Sequence, residues 1–348
     1  MPKYYLPEKD LGFICNYLEN DLKKLKGFHI FITGATGIIG KWLLAALLFA
    51  DDLFNLNISI SILTRNKNIF GDKYPLLCFD KRLTILEGDI RYFHTDSQID
   101  LFIHGAADVV NINVESETYI SNILGTNNAL VQASNSKAKR FLYLSSGAVY
   151  GKSELQNQGI YEGYRGEIDF LNLNSAYSLG KCGGEFLTNC YASEHELSVS
   201  SARCFAMAGP HLPLDKHFAF GNFMLSALNN SKIEITGNGK VYRSYLYLAD
   251  VCIWLLKIAI NGENRMSYNV GSNQSISIKS LAEKIKLELN SDSEIHIANL
   301  NSDNSHSNYY FPNTDFTMES LNIDVNYSLS DIINLTAEWH MKGKETNE

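Results

Sequence analysis

The period of apolar and polar positions changes twice along the chain. Over residues 1–26, Leu11, Ile14, Leu18, Leu22 and Leu25 recur at helical spacing, with lysines and acids between them. That spacing predicts one amphipathic helix packed on the main body, with an oligomer contact as the alternative. From Phe28 onward short apolar runs take over: Phe28–Thr33, Ile58–Thr64, Leu83–Leu86, Leu101–His104 and Phe141–Ser145. They lack strict polar alternation, as strands buried on both faces do. Helical stretches such as Glu117–Asn135 separate them. Strands alternating with helices predict an α/β fold with a doubly wound parallel sheet. After about residue 205 the alternation loosens, and glycines, asparagines and aromatics gather around 209–222 and 236–247. The expected organisation is a dinucleotide-binding domain over 27–205 and a smaller substrate-binding lobe over 206–341. Segments near Ser198–Arg203 and Ala249–Ile260 are expected to return to the sheet. The polar tail, 342–348, is expected to lie outside the folded body.

Composition narrows the partners. The 348 residues are 45% hydrophobic and 20% charged, ordinary for a globular protein. The net charge is −8 and no basic run appears, which argues against a nucleic-acid partner. An anionic small molecule still fits, because a pocket can be locally positive. The six cysteines form no Cys-x-x-Cys pair and none has zinc spacing to a histidine, so no metal is expected. They are expected to be reduced thiols of a cytoplasmic protein. The first 25 residues are too charged for a signal peptide. The longest apolar run, Trp42–Ala50, falls far short of the roughly 20 residues of a membrane helix, so no membrane partner is expected.

Candidate chemistry begins at the first strand. Gly34, Gly37 and Gly40 follow it and open a helix, as a Rossmann-type phosphate-binding turn requires. Gly34 permits the tight turn, Gly37 lets backbone approach a pyrophosphate, and Gly40 lets helix and strand pack closely. The helix N-terminus then offers N–H groups and a positive dipole end to the phosphates. Leu63-Thr64-Arg65-Asn66 ends the second strand without the acid that usually binds an NAD ribose. Arg65 could pair with a 2′-phosphate, which favours NADP, with NAD the alternative. Asp89, in Glu87-Gly88-Asp89-Ile90, could accept from an adenine amino group or simply form a turn.

Tyr177 and Lys181 are four residues apart, on one face of a helix. An ammonium beside a phenol stabilises the phenolate and lowers its pKa. Lysine can also hold the nicotinamide ribose. Ser146 closes the fifth strand at its carboxyl end, where open α/β sheets bind ligands. Its hydroxyl could hold the oxygen that Tyr177 protonates, or cap a turn.

Together these segments resemble the extended short-chain dehydrogenase/reductases, in their sugar-nucleotide epimerase, dehydratase and reductase branch, over about residues 28–340. Thr33-Gly34-Ala35-Thr36-Gly37-Ile38-Ile39-Gly40 is similar to the cofactor loop. His104-Gly105-Ala106-Ala107 resembles the His-x-Ala-Ala segment beside the cofactor, and Asn122-Ile-Leu-Gly125-Thr126 the Asn-x-x-Gly-Thr helix. The resemblance therefore implies cofactor contacts from Thr36, Ile38, Ile39, Ile90, Ala106, Ala107 and Asn122. Ser146-Gly-Ala-Val-Tyr150-Gly151 resembles the segment bearing the catalytic Ser or Thr, and Tyr177 with Lys181 the catalytic pair. The stretch Gly237–Asp250 resembles a substrate-lobe motif whose arginine, here Arg243, contacts the nucleotide diphosphate. Tyr268-Asn269-Val270-Gly271 resembles the strand that follows.

Departures narrow the implied chemistry. The 4,6-dehydratases of this branch carry an Asp-Glu pair directly after the catalytic Thr or Ser, and related decarboxylases carry Glu there. This chain has Gly147 and Ala148, which move no proton. Elimination and decarboxylation are therefore disfavoured, and Tyr177 is expected to be the only proton-transfer group in the site. Ala206 stands where many relatives use Asn toward the diphosphate. Asn222 is a candidate replacement, with a helix cap as its alternative role, and His217 is expected to be a surface residue. The implied function is an NADPH-dependent reductase of a nucleoside-diphospho-4-keto-6-deoxy sugar, in deoxysugar and polysaccharide biosynthesis. An NAD-dependent epimerase and a non-catalytic dinucleotide sensor are the alternatives. A homodimer through two helices is common in such enzymes and is expected by analogy.

Overall fold

The computed structural model describes residues 3–107, 114–155, 158–215, 218–299 and 309–345. The first half runs α1 (Glu8–Tyr17), α2 (Glu19–Leu22), β1 (His29–Thr33), α3 (Ile38–Phe54), β2 (Ser59–Thr64), α4 (Lys67–Lys73), α5 (Pro75–Cys78), β3 (Leu83–Glu87), β4 (Leu101–His104), α6 (Glu115–Asn135), β5 (Arg140–Ser146) and α7 (Ala176–Glu194). It continues with β6 (Ser198–Cys204), β7 (Met207–Ala208), α8 (Ala219–Leu228), β8 (Ile233–Ile235), β9 (Tyr242–Arg243), β10 (Leu246–Tyr247) and α9 (Leu248–Asn261). The remaining elements are β11 (Met266–Val270), β12 (Ile276–Ser277), α10 (Ile278–Glu288), β13 (Ile295–Ile297), β14 (Tyr309–Tyr310), α11 (Asp315–Leu321) and α12 (Leu329–Glu345).

Seven parallel strands form one sheet in the order β11-β6-β5-β4-β1-β2-β3. The order reverses between β1 and β4, which opens a crevice at their carboxyl ends. Three small sheets, β10-β7, β12-β9-β14 and β13-β8, are separate from the main one. The expected Rossmann-type fold is therefore present. Strand β6 pairs with β5, and β11 pairs with β6 at the edge of the sheet.

Helix α3 shows why a single stripe does not describe every helix here. Trp42, Leu43, Leu44, Ala45, Ala46, Leu47, Leu48 and Ala50 are all buried. One side faces the sheet and the other is covered by α1 and α9. The N-terminal segment supplies that cover through Leu11, Ile14, Leu18, Leu22 and Leu25, each 2% exposed or less. It is not one helix, however. The α-helical path breaks at Leu18 (φ −102°, ψ 15°), and a 3-10 turn follows at Lys23–Leu25. The break lets Asp21 turn toward α9, where it accepts from Lys257 Nζ at 2.6 Å and Asn261 Nδ2 at 2.8 Å. The polar C-terminal residues differ from expectation too, since α12 carries on to Glu345. Among the described residues no helix is long and apolar enough to cross a membrane.

One joint holds the carboxyl edge together. His104, 1% exposed at the end of β4, lies between two hydroxyls. Its Nδ1 is 2.7 Å from Thr33 Oγ1 at the end of β1, and its Nε2 is 3.2 Å from Thr126 Oγ1 on α6. Thr33 Oγ1 also accepts the Gly105 and Ala106 N–H groups, each at 3.2 Å. With its lone pairs so used, the Thr33 hydroxyl donates to Nδ1, and Nε2–H donates to Thr126. Burial, and secondarily the Lys181 charge, push the imidazole down to about 3. Its folded pKa thus lies below the ordinary value of 6.5. Between those values the unfolded chain binds a proton that the folded chain does not. Stability is therefore lost as pH falls through that window. The loss between pH 7 and 5 is expected to be about 2 kcal/mol. Replacing His104→Gln should flatten the fall in urea midpoint over that range. An equally steep fall in the variant would refute the assignment.

Candidate active site

The loop after β1 is shaped by two glycines. Gly34 has φ +74°, a left-handed conformation that side chains resist. A Cβ there would also stand 2.6 Å from the Gly105 carbonyl. Gly40 lies against the Gly34 carbonyl oxygen and the Ala35 backbone, so any side chain would collide. Gly37 caps α3 without a side-chain bond, leaving the first helical N–H groups of Ile38 and Ile39 directed outward. Thr36 and Gly37 are exposed at this mouth, and Ala106 and Ala107 are half-buried across it at the end of β4.

The region after β2 and β3 is more heavily charged than expected. Arg65 is exposed just after β2. Asp89 is not a bare acceptor, because Arg91 grips it with Nε at 2.9 Å and Nη2 at 2.6 Å. Arg91, and to a lesser degree Arg65, hold the Asp89 carboxyl below the usual carboxylate range. Arg91 escaped sequence reasoning because no motif marks it. Ile90 packs against Gly125 of α6, and its carbonyl accepts from Asn128 Nδ2 at 2.9 Å.

Ser146, Tyr177 and Lys181 do come together. Ser146 ends β5 and its Oγ accepts from Ala148 N–H at 3.2 Å, so it caps the short 3-10 turn Gly147–Tyr150. Tyr177 lies in the first turn of α7, and Lys181 follows one turn later. Lys181 is 3% exposed. Its Nζ lies 5.9 Å from the Tyr177 ring centre and 4.8 Å from that of Tyr143. The Leu144 carbonyl accepts from it at 2.8 Å, and among the described residues no carboxylate pairs with it. Burial pushes this ammonium down to about 8. Burial also raises Tyr177, while a hydrogen bond with Ser146 pulls the other way. The expected depression of the phenol by Lys181 is not found, and burial sets the direction instead. At neutral pH Tyr177 is a phenol, suited to give a proton rather than take one.

A second phenol was not anticipated. Tyr310, on β14, pairs in register with Arg243 on β9. Its ring packs on Phe205 at 5.0 Å and under the Arg243 guanidinium at 5.2 Å. Its hydroxyl is near enough to Ser146 and Tyr177 for both to act on it, and burial raises its pKa far above the ordinary tyrosine range. Tyr177 is therefore not alone among proton-bearing groups at the site. Gly147 is explained at the same time. A Cβ there would stand 2.7 Å from both the Phe205 ring and the Tyr310 hydroxyl.

Arg243 is brought to this cluster through Tyr310. Asn222 is not: it is exposed in the first turn of α8, and Phe218 rather than Asn222 takes the cap position. His217 lies outside the described residues. Behind the site, Glu185 accepts from Ser145 Oγ at 2.6 Å and pairs with Arg203 Nη2 at 2.7 Å. That buried pair braces the ends of β5 and β6 against α7. Among the described residues no cluster of His, Cys, Asp or Glu could hold a metal ion.

A dinucleotide fits what is present. The glycine loop leaves room for phosphates, and Lys181 has two N–H groups beyond the one given to Leu144. Asn122 donates to the Thr118 carbonyl at 2.8 Å, yet its Oδ1 is buried without a partner. A buried unpaired carbonyl oxygen is costly and normally finds a donor in a ligand or water.

Comparison with known proteins agrees with this geometry. The chain is 34% identical over 195 residues to a dTDP-D-glucose 4,6-dehydratase of Dictyostelium discoideum, covering 54% of this chain and 44% of that protein. It is 25% identical over 290 residues to UDP-glucuronic acid decarboxylase 2 of Arabidopsis thaliana, covering 81% and 62%. It therefore spans about half the length of these two curated relatives. Among solved structures, a UDP-glucose 4-epimerase of Thermotoga maritima superposes with a TM-score of 0.76 at 19% identity, covering 91% of this chain and 99% of that one. The dTDP-glucose 4,6-dehydratase DesIV of Streptomyces venezuelae, solved with NAD, gives 0.74 at 20% identity, covering 91% and 98%. At those identities the structures speak to the fold alone. Residues 30–271 match the sequence profile of one family, and by that match the chain belongs to the NAD dependent epimerase/dehydratase family.

Proposed function

We propose that this protein is a sugar-nucleotide 4-ketoreductase, taking a nucleoside-diphospho-4-keto-6-deoxyhexose and leaving the C4 carbinol. The observation that carries the reading is the pairing of Ser146, Tyr177 and Lys181 with a Gly147 whose surroundings leave no space for an acidic side chain. A bound reduced nicotinamide supplies the hydride. Ser146 holds the C4 oxygen, and Tyr177 gives it a proton as charge develops there. The Lys181 ammonium stabilises the phenolate left behind until solvent restores its proton. A high-pKa phenol supports the reductive direction, in which Tyr177 must start protonated. Arg243 meets the diphosphate, and Arg65 with its positive charge at the end of β2 supports NADPH as the reductant.

A second reading, an epimerase that retains NAD, is favoured by the family description, and such chemistry needs no acid at position 147. The two readings separate in one assay with NADPH, NADH and a panel of 4-keto-6-deoxy and parent sugar nucleotides. The reductase consumes reduced nicotinamide in proportion to product, and the epimerase converts sugar without net consumption. Replacing Tyr177→Phe should lower turnover by about 10²–10⁴-fold while dinucleotide binding persists. Unchanged turnover would remove Tyr177 from the chemistry.

We further propose a homodimer through α6 and α7. These helices pack on each other and leave Ile120 and Leu124 about two-fifths exposed and Phe186 70% exposed. Light scattering should report about twice the 39.1 kDa chain mass. The double variant Leu124→Glu, Phe186→Glu should return it to the monomer value.

A further inference from the structure

We infer that Tyr310 is a substrate-contacting residue of the reaction centre, donating a hydrogen bond to the hexose from the space that an acid at position 147 would otherwise fill. This rests on the sugar-nucleotide reading above and deepens it. The Tyr310 hydroxyl lies 2.7 Å from where a Gly147 Cβ would be, at the end of β5. A carboxylate at 147 and a phenol at 310 therefore exclude each other. The Phe205 ring also blocks that position, at 2.7 Å, and packs at a tilt of 40° against the Tyr310 ring.

The phenol is aimed by its strand. β14 is parallel to β9, with Tyr310 opposite Arg243. The Arg243 guanidinium over the ring restrains the tyrosine from the lobe side. The hydroxyl meets Ser146, the same hydroxyl that Tyr177 meets. Three hydroxyls thus converge at one strand end, from β5, α7 and β14. A reacting carbonyl oxygen takes Ser146 and Tyr177, and Tyr310 is left to reach a neighbouring sugar oxygen. A neutral phenol there donates a hydrogen bond but removes no proton from carbon. The site then grips the hexose without the base that water elimination needs.

The test compares binding of UDP-glucose and dTDP-glucose with binding of UDP and dTDP, by calorimetry on the full chain saturated with dinucleotide. In Tyr310→Phe, affinity for the sugar nucleotide should fall about 3- to 10-fold, the worth of one neutral hydrogen bond, with the bare diphosphates unaffected. Gly147→Ala approaches from the opposite side. Its methyl group displaces the phenol, so it should produce the same sugar-selective loss, and the double variant should lose no more than either single one. Equal losses for sugar nucleotide and diphosphate would make Tyr310 merely structural and overturn the inference while leaving the functional reading intact. No loss in either variant would overturn it also. A wild-type chain that binds the sugar nucleotides no better than the bare diphosphates would overturn both.

Discussion

Where the strand order reverses, the ends of β1 and β4 must be held together closely while the crevice between them stays open. The imidazole of His104 meets that constraint. It ties Thr33 on β1 to Thr126 on α6, while Thr33 gathers the two N–H groups that follow β4. Because the ring is buried and stays neutral, it can donate on one side and accept on the other. A charged ring would donate on both sides and break the line of hydrogen bonds. The end of β1, the edge after β4 and α6 all meet at this joint.

The electrostatics of the site are dominated by desolvation. Lys181 is a buried cation whose pKa burial lowers, and burial raises that of Tyr177. Such an arrangement favours a ligand that brings hydroxyls to the ammonium and a negative charge to the phenol only during reaction. The structural charge pair, Glu185 with Arg203, sits behind the site and is satisfied by Ser145 and Tyr150. Charge that braces the fold is thus kept apart from charge that does chemistry.

The sheet and the cofactor loop were legible because their information is local. A glycine that must turn, a strand before it and a helix after it lie within a dozen residues. Ser146, Tyr177 and Lys181 were legible because strand ends and helix turns set their placement. Tyr310 was hidden for the opposite reason. It arrives on a two-residue strand, too short to show a period, and its partner Gly147 is informative only once both are in place. Arg91 was hidden because a guanidinium two residues after an acid resembles any solvated pair. The break at Leu18 left no trace in the pattern, since apolar spacing survives a change from α to 3-10 geometry. The cap role open to Asn222 falls to Phe218, because the helix begins one turn earlier than the polarity of Asn222 suggested.

The cover that α1 and α2 place over α3 has a consequence for how the chain is made. Asp10 receives its hydrogen bond from Tyr247, and Asp21 pairs with Lys257. Residues of this earlier segment therefore dock on ones synthesised more than 200 positions later. Until α9 has emerged, the apolar back of α3 has no lasting shelter, and the amphipathic N-terminal segment must wait beside it. Long-range closure of this kind slows folding and prolongs the exposure of hydrophobic surface. The nascent chain is thus most vulnerable to aggregation in the interval between synthesis of β1 and completion of α9, a period in which most of the nucleotide-binding half already exists.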